Sequence, residues 1–170
     1  MSLCTGAARL ITIAACSGAA AVLGSTADCA AAPSGKLMDM LPQGFSSTNC
    51  QEKDPVEGSL ERVMCGQSTD PGGPSYGVFL LYGSGSDLAT EFRQGPGRSG
   101  YAVASSCPGG GASPGTWSYR NSNQTAGQVE CGTSVEGNYA VIWTDNAKLR
   151  LAVVEGKDSA SLYQWWRDKG

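Results

Sequence analysis

Four acids in the C-terminal half, Glu130, Glu136, Asp145 and Glu155, are the residues of this chain best suited by type to hydrolysis. Two carboxylates cleave a glycosidic bond when one donates a proton and the other attacks, or activates water, at a fixed separation across the sugar. These four fall in or beside candidate strands and turns, where solvated acids are ordinary. The usual helper is missing, because the 170 residues include no histidine. Ser-His-Asp and Cys-His sites are therefore excluded within the chain, and so is the commonest metal ligand. No Cys-x-x-Cys pair exists to begin a zinc site. The expectation is a chain with no catalytic residues, no metal and no cofactor, and a small carboxylate hydrolase stands as the alternative.

Two other stretches invite chemistry. Cys107-Pro108-Gly109-Gly110-Gly111 is glycine-rich like a phosphate loop, but lacks the Gly-Lys-Ser/Thr ending that reaches phosphates and magnesium. It reads as a surface loop. Trp165 and Trp166 could form a sugar platform, yet Leu162, Trp165 and Trp166 share the i, i+3, i+4 spacing of a buried helix stripe.

Seven cysteines stand at positions 4, 16, 29, 50, 65, 107 and 131. The first two fall in a leader and Cys29 in a linker. Cys50, Cys65, Cys107 and Cys131 remain, an even number, which reads as two disulfides. Three pairings are open. The sequential one, Cys50–Cys65 and Cys107–Cys131, is the expected one because each bond would close a Gly/Pro/Ser-rich excursion. A reactive thiol has no histidine to activate it.

Residues 1–27 resemble an export signal. Arg9 supplies the positive start, Leu10 to Leu23 the apolar-leaning run, and Ser25-Thr26-Ala27 a cleavage site. The run is too rich in Ala, Gly and Ser for a transmembrane helix, so no membrane span is expected after cleavage. Ile13-Ala14-Ala15-Cys16 competes as a lipobox, with Cys16 lipidated. Residues 28–36 read as a flexible linker. The net charge is −3, with no run of like charges. A nucleic-acid partner needs a basic face, so none is expected.

The elements that must position these residues follow from periodicity. Strands are predicted near 60–65, 76–82, 116–119, 127–135, 139–144 and 149–154. Glu136-Gly137-Asn138 and Asp145-Asn146 are the turns of a C-terminal meander. Val141-Ile142-Trp143 is apolar on both faces, whereas the strand from Leu149 alternates as if one face were inward. A helix capped by Ser86 or Asp87 should run to about Arg93 or Gln94, where Gly95-Pro96-Gly97 stops it. A second should start at Asp158-Ser159. Leu37 to Leu41 allows one helical turn, and Phe45 should plug the core. Asn123-Gln124-Thr125 matches a glycosylation sequon and reads as a turn.

A family resemblance rests on a scattered framework: Leu41-Pro42-Gln43-Gly44-Phe45 with Cys50, then Cys65-Gly66, Cys107-Pro108-Gly109, Ser113-Pro114, Trp117-Ser118-Tyr119, Gly127 with Cys131-Gly132, Val141-Ile142-Trp143-Thr144 and Leu162-Tyr163-Gln164-Trp165-Trp166. Over residues 37–170 this resembles an exported actinobacterial domain typical of mycobacteria. That domain is found as a secreted protein or lipoprotein, with related copies on the outer side of receptor-type Ser/Thr kinases. The resemblance implies a sensor-like module and brings no catalytic residues with it. The chain has no kinase motif of its own.

The resulting expectation is an α+β domain over 37–170. A mostly antiparallel sheet carries two helices on one face and leaves the other face partly open for a ligand. Its role would be a non-enzymatic, exported binding module for an envelope or extracellular ligand.

Overall fold

Three apolar runs, 76–82, 139–145 and 150–156, contain most of the aliphatic and aromatic residues that can be buried together, and they set the centre of the sheet. The computed structural model describes residues 36–170; the expected signal, Cys16, Cys29 and all of the linker except Lys36 lie outside the described residues. A 3-10 turn, Met38–Met40, precedes eight strands and two helices. The strands are β1 (Cys50–Lys53), β2 (Ser59–Cys65), β3 (Tyr76–Tyr82), β4 (Ala102–Val103), β5 (Gly115–Ser118), β6 (Thr125–Thr133), β7 (Tyr139–Asp145) and β8 (Arg150–Gly156). Helix α1 spans Gly85–Arg98 and α2 spans Ser159–Lys169. The sheet runs β1-β2-β3-β8-β7-β6-β4, with β5 also on the outer edge of β6. Each of these pairings is antiparallel. The fold is α+β, and the two disulfides are Cys50–Cys65 and Cys107–Cys131. Cys50 sits directly opposite Cys65 across β1 and β2.

The helices do not share a face. Val63, Phe79, Ala152, Trp143 and Val129 form one continuous cross-strand row, and α2 covers that side with Leu162, Trp165 and Trp166. On the opposite side Val78, Val153 and Ile142 form a second row, covered by Leu88 and Phe92 of α1. The reason lies in β7 and β8, which are apolar on both sides. Covering one side alone would leave Ile142 and Leu151, or Val141 and Val154, in water, at about 1.5–3 kcal/mol for each large side chain. The expected one-face-inward pattern of the last strand fails for the same reason, since every residue of β8 is buried. Neither face of the sheet is bare, but α1 does not fill its side: beside its C-terminal turn, Val78, Leu80, Leu151 and Val153 line a groove.

Three local differences have clear causes. Helix α1 is capped by Ser84, whose hydroxyl accepts from the Asp87 amide, and it continues through Pro96 to Arg98. A proline this close to the C-terminus forfeits a single intrahelical bond. The Ser99 and Tyr101 amides then donate to the carbonyls of Gly95 and Pro96. Strands β1 and β4 were not expected. Residues 51–53 of β1 are exposed and polar, and β4 is only two exposed residues long.

Other expectations hold. Asp158 caps α2, accepting from the Ser161 amide. Phe45 plugs the core, edge-on to both Phe79 and Trp165. The glycine-rich stretch is a loop pinned by Cys107–Cys131.

Candidate functional site

Two residues at the end of β5 set the floor of a groove at the edge of the sheet. Trp117 on β5 and Tyr119 just beyond it project to the α2 side, with ring centroids 4.9 Å apart. Trp117 lies across β6 because its partner there is Gly127. A Cβ on Gly127 would stand 1.9 Å from the Thr144 carbonyl oxygen, so only glycine lets that carbonyl come up beneath the indole. The indole Nε1 donates to it at 2.8 Å. Helix α2 supplies the other wall. Trp166 packs edge-on against Trp117 at 6.2 Å, and Tyr163 lies against Trp166 at 5.2 Å with a 33° tilt.

The groove between β5 and α2 encloses about 720 Å³ and is lined by Trp117, Tyr119, Tyr163 and Trp166, with Arg120, Arg167 and Asp168 at its rim. Arg120 donates to Asp168 at 2.5 Å, tying the end of β5 to the end of α2. Arg167 makes no ion pair among the described residues. The aromatic set is held from below by charge. The Tyr119 hydroxyl donates to Asp145 Oδ2 at 2.5 Å, and Lys148 pairs with the same oxygen at 3.0 Å while sitting over the Tyr119 ring. Burial raises the Tyr119 hydroxyl, and the bond to Asp145 adds to this, so its pKa is pushed up to about 12. Burial works to raise Asp145 too. The Tyr119 bond, Lys148 and Arg150 outweigh it and hold that carboxyl below its ordinary value. Arg150 is itself buried, and donates to the Met40 carbonyl.

The four acids read as a possible catalytic set do not meet. Asp145 is on the α2 side and already bonded to Tyr119 and Lys148. Glu136 is exposed in the turn between β6 and β7. Glu155 is on the α1 side, accepting from Tyr101 at 2.7 Å and from Asn138 at 2.9 Å. Glu130 is also on the α1 side, opposite Ile142 at the end of the Val78-Val153-Ile142 row. It is 4% exposed, and its Oε1 has no hydrogen-bond partner among the described residues. Burial alone pushes its pKa up to about 7. None of the four lines the groove.

Among the described residues no cluster of three His, Cys, Asp or Glu is placed to hold a metal ion. No described helix is long and apolar enough to cross a membrane. The cysteines are bonded in the two expected pairs. Trp165 is core, 6% exposed, with Nε1 donating to Asp70 at 3.1 Å. Trp166 is both core and groove wall. The strand predicted near 116–119 puts Trp117 and Tyr119, two residues apart, on one face, but nothing in the sequence pattern brought Tyr163 to them. Tyr163 follows Leu162 in α2, and that adjacency to the stripe is the signal that could have found it. No family model, curated protein or solved structure matches this chain.

Proposed function

We propose that this protein is an exported, non-enzymatic binding module of the cell envelope or extracellular space, and that the groove between β5 and α2 is where it holds its ligand. The observation that carries the reading is the aromatic lining of Trp117, Tyr119, Tyr163 and Trp166 with Arg120, Arg167 and Asp168 at the rim. Flat apolar rings below, with planar hydrogen-bonding groups above, suit a ligand that has an apolar face and a hydroxylated edge. A sugar ring has both. The volume is within the range of small-ligand sites. The dispersed acids leave the groove without a carboxylate pair to cut a glycosidic bond. Two disulfides favour an oxidising compartment, as does the resemblance to exported actinobacterial domains.

Binding is tested by titrating soluble envelope glycan fragments into the full chain and into Trp117→Ala. The expected result is saturable binding that Trp117→Ala weakens about tenfold or more, as a lost central aromatic contact would. Saturable binding that Trp117→Ala leaves unchanged would remove the groove from the proposal. Export is tested by N-terminal sequencing of protein recovered outside the cytosol, where Asp28 should come first. A lipidated Cys16 as the first residue would move the cleavage site and anchor the protein to the membrane.

A further inference from the structure

The other side of the sheet carries a second groove of different character. Val78 and Leu80 of β3 lie opposite Val153 and Leu151 of β8, giving a two-by-two aliphatic floor. The C-terminal turn of α1, with Gly95 and Pro96, forms one wall, and Tyr76 and Tyr101 complete the lining. The space is about 390 Å³. At about 30 Å³ per water-sized group, that is room for about a dozen heavy atoms.

One end of this groove is charged in an uneven way. Four ionisable residues besides the tyrosines line it: Glu57, Glu91, Arg62 and Arg98. Glu91 and Arg98 neutralise each other at 2.5 Å. Glu57 is exposed in the turn before β2. Arg62 is left over. It stands beside Leu80 in register, is only half-buried, and makes no ion pair among the described residues. Among the described residues, the one side-chain partner of its guanidinium is the Met64 sulfur at 3.0 Å. A thioether is a weak acceptor, so the strong donors of this fork are largely unused. Its charge is felt in the groove: burial raises the Tyr76 hydroxyl while Arg62 draws it down. Nearby Glu155 is already taken up by Tyr101 and Asn138.

We infer that this groove binds an amphiphilic carboxylate, a chain of about eight to twelve carbons by the volume above. Its acid head lies on Arg62, and its tail lies on Val78, Leu80, Leu151 and Val153 beneath Pro96. The head replaces the sulfur as acceptor for a planar two-point contact. The tail fills the space beside the C-terminal turn of α1, over Val78, the most exposed of the four floor residues. The site lies on the face opposite the aromatic groove and is independent of it.

The test uses decanoate, below its micelle concentration, with the isotope-labelled full chain. Amide shifts should move in a saturable way at Val78, Leu80, Leu151, Val153 and Tyr101. Arg62→Gln should weaken decanoate about tenfold or more, the scale of one lost charge-assisted contact. An otherwise unchanged spectrum of R62Q shows that the variant is folded. Decanol, with the same tail and no charge, should bind the unaltered chain about tenfold or more weakly, which tests the head group without any variant. Equal binding of decanol and decanoate would overturn the inference. So would full affinity in R62Q, shifts confined to Trp117 and Tyr163, or no saturable shift at all.

Discussion

Glu130→Gln isolates a single buried carboxyl in a pH window that is otherwise almost silent. Glu130 ends an apolar row, its Oε1 lacks a partner among the described residues, and burial is the sole cause lifting its pKa from 4.5 to about 7. Because the folded state holds this proton more tightly than the unfolded chain, stability is greatest below the unfolded pKa and is lost as pH rises through the folded one. The loss should run from about pH 4.5 to about 7 and level off above, amounting to about 3 kcal/mol at 1.36 kcal/mol per pKa unit. Histidine, the side chain that ordinarily titrates there, is absent from the sequence. Urea unfolding at pH 5 and pH 8 measures the difference. Wild type should be less stable at pH 8 than at pH 5 by about that amount, whereas E130Q should be nearly flat across the window. At pH 8 the variant should therefore be the more stable of the two, a neutral amide replacing a buried charge. A flat wild-type profile, or an E130Q slope equal to wild type, would refute the burial argument.

Trp165→Ala removes a 6%-exposed indole from between Phe45 and Asp70 and should cost about 3–5 kcal/mol, visible as a large fall in Tm; an unshifted melt would show that the indole is not core. Ser84→Ala strips the hydroxyl that caps α1 and should cost about 1 kcal/mol in urea unfolding. If Ser86→Ala proves the more damaging of the two, the helix does not begin where its hydrogen bond places it.

How far the sequence could be read depended on whether the signal was local. Strand β3 is bounded by Ser75 and Gly83 and carries five consecutive apolar or aromatic residues after Gly77, so both its ends were legible. Strand β1 was not, because Gln51, Glu52 and Lys53 all face water and show no alternation. Its one marker was Cys50, and the expected bond to Cys65 could have implied the pairing. The both-sided burial of Val141-Ile142-Trp143 was legible, and it already required cover on two faces. That requirement did not reach the helices, since an amphipathic stripe on α1 does not say which side of a sheet it meets. The groove was half legible: Trp117 and Tyr119 announced themselves by spacing, while Tyr163 joins them through packing of residues over forty positions away. The charges beneath it were unreadable for the same reason, Asp145 and Arg150 being ordinary turn-flanking residues until the Met40 carbonyl and Tyr119 close over them.

The strand order has a consequence for how the molecule comes into being. Strand β8, last in the chain, lies between β3 and β7, so the first three strands and the β6–β7 hairpin share no edge until it arrives. Tyr76 waits for Glu155, and Phe79 for Ala152. A nascent chain that has emerged only as far as Leu149 lacks the strand that joins β1–β3 to β6 and β7, so the sheet cannot be completed. Completing the sheet requires the insertion of seven residues that are buried throughout their length. Once in place, paired along both edges, the keystone strand has no free edge by which to be drawn out.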